Sequence, residues 1–202
     1  MIESAKGFML LVTGPSGAGK ISLLQWLMEQ DDRLGFSVSC TTRPPREGEV
    51  DGRDYYFVSH EEFETRRDAG EFVEWAEVHD NYYGTLSSEL VRAEAAGLIP
   101  VLEVDVQGGV EVIKRFGDRV VSVFVFPPTM LVLEDRLRGR GTDDEETIAR
   151  RLINARDELG QRNWYRYWLL NDDRDRARRD LMAIFRAEEL RRERWSRPPI
   201  GD

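Results

Sequence analysis

Short apolar runs alternate along the chain with stretches whose apolar positions recur every three to four residues. Gly7–Thr13 (GFMLLVT) is an apolar run ending in a glycine-rich turn and predicts a buried strand. Ile21–Glu29 follows with helical spacing, and Phe36–Cys40 predicts a second short strand. Thr41–Gly52 holds Pro44, Pro45, Gly48 and Gly52 and predicts a loop. Ser59 and Glu62 have capping-box spacing and open a helix. Phe72–Val78 alternates as a strand, and Leu86–Ala96 has helical spacing. Leu98–Val106 (LIPVLEVDV) is a near-continuous apolar run with two acids inside it, and Val120–Phe126 is a strongly apolar strand stopped by Pro127 and Pro128. Thr129–Arg138 predicts a helix. Thr142 and Glu145 form another capping-box pair, opening a helix to about Leu159. Tyr167–Leu170 predicts a last strand and Arg174–Arg194 a long charged helix.

Apolar strands alternating with helices predict an α/β fold, a parallel sheet covered on both faces. Residues 39–88 break the rhythm and predict an inserted lobe, and residues 135–160 a smaller mobile insert. The rest (1–38, 89–134 and 161–202) forms the core of one domain, which 202 residues suit. In the C-terminal helix Asp180, Glu188, Glu189 and Glu193 interleave with arginines, so a solvated face is expected there rather than a binding arm.

Gly14-Pro15-Ser16-Gly17-Ala18-Gly19-Lys20 follows a strand and opens a helix, the P-loop spacing GxxxxGK in its required context. Glycines let backbone N–H groups turn inward around a phosphate, and the helix N-terminus adds partial positive charge. Lys20 is placed to reach the β and γ phosphates. The next residue in such a loop is Ser or Thr, whose hydroxyl holds Mg²⁺. Here it is Ile21. Ser22 is turned away by ~100° of helix and is a poor substitute. Phosphate binding is expected to survive and metal positioning to weaken.

Glu103 and Asp105 interrupt the apolar run at i, i+2, which puts both on one face of the strand, near its C-terminal edge where α/β ligands bind. Buried acids are costly unless paired, protonated or facing a site. Two readings stand: a metal-linked carboxylate beside a substrate-reading one, or a structural pair.

The net charge of −9 argues against general affinity for nucleic acid or anionic membrane, yet leaves room for a local basic site. Cations are 26 arginines against three lysines (Lys6, Lys20 and Lys114). That excess suits bidentate phosphate or carboxylate contacts, though codon usage alone also produces it. A single cysteine, Cys40, excludes an internal disulfide or a cysteine cluster, and His60 and His79 are too few for a histidine zinc site. No apolar run approaches the ~18 residues of a membrane span. No leader pattern is present, so the cytoplasm is expected.

Six blocks in order resemble the guanylate kinase family: GPSGAGK (14–20), FSVSCTTRPPREGEVDGRDYYF (36–57), EFVEWAEVHDNYYGT (71–85), LEVDVQG (102–108), RLRGRGTDDEETIARRL (136–152) and NDD (171–173). The resemblance implies a P-loop NTPase-type fold with a GMP-binding lobe at 39–88 and a lid at 135–160. It implies transfer of phosphate from ATP to GMP with Mg²⁺. Arg43, Arg46, Tyr55 and Tyr83 correspond to residues that grip the GMP phosphate. Glu74 and Asp105 correspond to carboxylates accepting from the guanine N–H groups, Ser39 to the hydroxyl donating to O6, and Thr85 to a further hydroxyl. Arg136, Arg140 and Arg151 correspond to arginines closing over the transferring phosphates, and Asn171 to a position near the adenine. Ile21 and Glu103 depart from the family, which usually has a hydroxyl and Asp there. Glu103 would meet metal through water. Five arginines and Lys20 are thus expected in one cleft. Two other functions remain open: a guanylate-kinase-like binding module without catalysis, and a P-loop kinase with another phosphorylated acceptor. Oligomeric state is open.

Overall fold

The computed structural model describes residues 7–78, 80–139 and 144–194. In chain order the elements are β1 (Met9–Thr13), α1 (Lys20–Gln30), β2 (Leu34–Phe36), β3 (Ser39–Thr41), β4 (Tyr56–Phe57), α2 (His60–Asp68), β5 (Phe72–Val78), β6 (Asn81–Leu86) and α3 (Ser87–Ala95). There follow β7 (Ile99–Glu103), α4 (Val106–Phe116), β8 (Val120–Phe126), α5 (Met130–Arg138), α6 (Glu145–Gly160), β9 (Tyr167–Leu170) and α7 (Arg174–Glu189).

Five strands form a parallel sheet in the order β2-β7-β1-β8-β9. Its strands read as continuous apolar runs because both faces are covered. On one face Leu10, Val12, Val121 and Val123 pack with Leu23, Leu24 and Leu27 of α1 and Leu181 and Phe185 of α7. On the other, Met9, Leu11, Leu102 and Phe124 pack with Val106 and Val110 of α4. Among the described residues no helix is long and apolar enough to cross a membrane.

A second sheet, β4-β3-β6-β5, is built from residues 39–86. β6 runs antiparallel to both β3 and β5. Its small core is Cys40, Phe63, Phe72 and Leu86, with the Phe63 ring stacked on Phe72 at 4.4 Å. Glu89 of α3 ties this sheet to the first, accepting from Val38 N (3.1 Å) and the Tyr56 hydroxyl (3.1 Å). α5 and α6 pack as a helical pair through Leu133, Leu137 and Ala155.

Several sequence expectations are corrected. Phe36–Cys40 is two strands in different sheets. Ser37 N still donates to Val101 O at 2.9 Å, but Val38 N turns to Glu89, and the chain crosses over. The run Leu98–Val106 stops being strand at Glu103, and Asp105 becomes the N-cap of α4, accepting from Gly108 N at 2.8 Å. The two acids therefore do not share a strand face. α6 is capped by Asp144, which accepts from Thr147 N at 2.8 Å, and Thr142 lies outside the described residues. α7 ends at Glu189, before a 3-10 turn at Arg192–Arg194. Glu188, expected in solvent, is buried among Arg166, Arg191, Arg194 and Tyr167.

Candidate active site

Residues 14–20 join β1 to α1 at the sheet's C-terminal edge, where ligands of such sheets bind. Gly19 is the N-cap of α1 with φ 93°, and a Cβ there would stand 2.4 Å from Asn171 Nδ2. Gly14 has φ 137° and carries its backbone so close to β8 that a Cβ would meet Val125 O at 2.3 Å. Both positions therefore require glycine. Gly19 brings no side chain to cap α1, which leaves the helix's N-terminal amides to an anion. Lys20 Nζ lies on this loop, donating to Gly14 O (2.8 Å) and Pro15 O (3.3 Å), and pairs with Glu103 Oε1 at 3.2 Å.

The loop forms one wall of a cleft of about 370 Å³. The second sheet forms the opposite wall. Its register sets Ser39 opposite Thr85 and Thr85 opposite Glu74, a row across three strands. Glu74 is 7% exposed, and its Oε1 accepts from both Thr85 N (2.9 Å) and Thr85 Oγ1 (2.7 Å). Burial, reinforced by the charge of Asp105, pushes the Glu74 carboxyl up to about 7 against the Thr85 hydrogen bonds. Asp105 is also raised by burial, in spite of the Gly108 and Gln107 amides.

Farther along this wall Arg43 lies over the Tyr55 ring (5.5 Å) and pairs with Glu49 at 2.9 Å. Glu49 also accepts from Arg46 N at 2.7 Å, so one carboxylate organises the loop that carries both arginines. Tyr55 and Tyr83 meet edge-on at 6.1 Å, and burial followed by the Glu103 charge raises the Tyr55 hydroxyl.

The structure thus brings Gly14, Ser16, Gly17, Gly19, Lys20, Ile21, Ser39, Arg43, Arg46, Tyr55, Glu74, Tyr83, Glu103, Asp105 and Arg151 to one cleft. Arg151 Nη1 reaches Ser16 Oγ at 3.4 Å. Pro15 and Ala18 are buried within the loop, and Thr85 is buried behind Glu74. Arg136 sits behind the loop instead of lining the cleft, donating to Asn171 O at 2.9 Å and approaching Gly17 O and Ala18 O. The loop's outward carbonyls take up its donors. Asn171 Nδ2 likewise donates to Ala18 O at 2.7 Å. Arg140 lies outside the described residues.

Sequence reading missed Glu49, Asn154 and Glu158, which also line the cleft. With Arg151, the last two sit at i, i+3, i+7 on one face of α6, a spacing visible in the sequence. Burial pushes the Glu158 carboxyl up to about 7, with Lys20 opposing and Asp105 adding to the rise.

A glycine loop between a parallel strand and a helix, its lysine facing a second acid- and arginine-lined wall, defines a P-loop kinase of the nucleoside monophosphate class. A family profile described as guanylate kinase matches residues 6–188. A guanylate kinase of Aromatoleum aromaticum is 49% identical over 92% of this chain and 90% of its own length. One from Symbiobacterium thermophilum is 46% identical over 95% and 90%. The crystal structure of guanylate kinase from Anaplasma phagocytophilum superposes with a TM-score of 0.77 at 32% identity, over 96% of this chain and 92% of that one. The chain belongs to the guanylate kinase family.

Proposed function

We infer that the protein transfers the γ-phosphate of ATP to GMP, giving ADP and GDP. One observation carries this reading: a single cleft joins the Lys20 loop to the buried Glu74 carboxylate and the half-buried Asp105 carboxylate. ATP is assigned to the loop, with Lys20 and Arg151 around the transferring phosphate, and Arg136 and Asn171 bracing the loop from behind. Arg140 belongs to the same proposed set of phosphate contacts. Arg43, Arg46, Tyr55 and Tyr83 are assigned to the GMP phosphate, a dianion suited to guanidinium forks and phenol donors.

Guanine presents two N–H donors beside an oxygen acceptor. Ionised Glu74 and Asp105 accept from the donors, while Ser39 donates to the oxygen and Thr85 holds Glu74 in place. Adenine lacks those donors and would leave buried carboxylates unpaired, which is strongly rejected. Residues 39–88 act in this reading as the acceptor lobe and 135–160 as the lid over a reaction that must exclude water. We place the reaction in the cytoplasm with its nucleotides.

Mg²⁺ comes with ATP. Among the described residues there is no cluster of three metal-ligating side chains, and Ile21 offers no oxygen. The donor set fits an ion held mainly by phosphates and water, with the Glu103 carboxylate as its protein neighbour. When bound it neutralises charge on the β and γ phosphates. Transfer itself is direct: alignment and surrounding cations suffice. A coupled assay of ADP release across a Mg²⁺ series tests the reading. Rapid turnover is expected with GMP and little with AMP. Equal rates with both would overturn the base assignment.

A further inference from the structure

We propose that Gly108 is a positioning residue for acceptor selection: its missing side chain is the space in which the Glu74 and Asp105 carboxylates stand together toward the base. This rests on the acceptor reading above and adds the residue that makes the carboxylate pair possible.

Gly108 is buried in the first turn of α4 and has ordinary helical backbone, so its conformation does not call for glycine. Alanine is the better helix former. The reason lies in what a Cβ would touch. It would stand 2.3 Å from Glu74 Oε2, 3.1 Å from Glu74 Cδ and 2.9 Å from Asp105 Oδ1. Such distances force something to move.

Three candidates could move, and two are pinned. α4 is tethered by the Tyr165 hydroxyl, which donates to Val106 O at 2.6 Å. Asp105 caps the helix through Gly108 N at 2.8 Å. Among the described residues Glu74 is anchored through Oε1, by Thr85, while Oε2 faces Gly108. A methyl group at 108 therefore turns the Glu74 carboxylate away, and the fold can absorb that shift. Gly109, next in the helix, provides the contrast. Its Cβ would meet the Tyr165 hydroxyl at 2.5 Å, on the side packed against the sheet.

The test compares full-length Gly108→Ala, Gly109→Ala, Glu74→Gln and the double variant Gly108→Ala/Glu74→Gln. KM for GMP and ATP, turnover of AMP and thermal melts are read. Gly108→Ala is expected to raise KM for GMP by about tenfold or more, to narrow the GMP-to-AMP preference, and to leave KM for ATP within about twofold. The double variant should match the worse single variant, because both changes remove one interaction. Gly109→Ala disturbs the Tyr165 tether and should lower Tm, with a smaller rise in KM for GMP than Gly108→Ala gives.

Gly108→Ala with wild-type KM for GMP overturns the proposal. So do effects that multiply in the double variant, an equal rise in KM for ATP, or a Tm loss exceeding that of Gly109→Ala. If the wild-type protein itself shows no preference for GMP over AMP, the acceptor reading falls and the proposal with it. If the preference is present and Gly108→Ala keeps it, the proposal alone falls.

Discussion

Lys20 Nζ stands 3.2 Å from Glu103 Oε1, because β1 and β7 are neighbours and Val12 faces Glu103 in register. The loop's cation is thus held by a carboxylate from the adjacent strand before any nucleotide arrives. In the proposed reaction that carboxylate also faces the metal. Glu103→Gln keeps the shape and removes the charge. The Mg²⁺ concentration for half-maximal rate should rise several-fold while KM for GMP stays near its wild-type value. Mg²⁺ titrations at saturating GMP check this.

Ile21 follows Lys20 at the start of α1, with its side chain 54% exposed on the cleft. Ile21→Ser places a hydroxyl where a P-loop holds its metal. A lower Mg²⁺ requirement or a higher kcat is expected. Its exposure means that little packing is lost, so the melting temperature should stay close to that of the wild-type protein.

The pH dependence of GMP binding follows from Glu74. Its folded-state carboxyl is raised to about 7 from an ordinary 4.5, so the ligand-free protein binds more protons than its unfolded chain between those values. Its stability through this group falls as pH rises from about 4.5 to 7. Guanine donors need the ionised form, so affinity for GMP should increase as pH rises through about 7. Calorimetric titration of GMP from pH 6.5 to 8.5, mostly above the second ionisation of the GMP phosphate at about pH 6, should show this gain in the wild-type protein and a much smaller one in Glu74→Gln. An identical profile in both would remove Glu74 from base recognition.

The sequence made the parallel sheet legible. β1, β8 and β9 are apolar throughout or bounded by proline, and the P-loop is read from spacing alone. β6 and α4 were not legible. Gly84 in β6 and Gly108-Gly109 in α4 interrupt the periodicity, and each is glycine for a contact made in three dimensions. Gly84 lets Phe72 pack over its strand, where a Cβ would meet the ring at 2.8 Å. Glu49 was hidden for a related reason: its role is to join Arg43 and Arg46, and nothing in a charged loop sequence marks that pairing. Arg136 shows the converse, a motif residue that the fold turns to the back of the loop.

Stability should depend on Glu188, 1% exposed, which accepts from the Tyr167 hydroxyl at 2.7 Å and from buried Arg194 at 3.2 Å. Burial works to raise its carboxyl, but the hydrogen bonds from Tyr167 and Arg194 and the charges of Arg166 and Arg191 hold it below the ordinary 4.5. Glu188→Ala strands Arg194 and should cost about 3 kcal/mol, measured as a lower urea midpoint at pH 7. A depressed carboxyl stabilises above its unfolded pKa and loses that contribution as pH falls, so the gap to the wild-type protein should narrow below pH 4.5.

The central claim is that one cleft carries phosphate from ATP to GMP. A single-turnover experiment with enzyme in excess, γ-labelled ATP, GMP and Mg²⁺ tests it most directly. Label is predicted to appear in GDP with the wild-type protein and to be reduced to background in Lys20→Ala. A wild-type protein that binds both nucleotides and leaves all label in ATP would contradict the account.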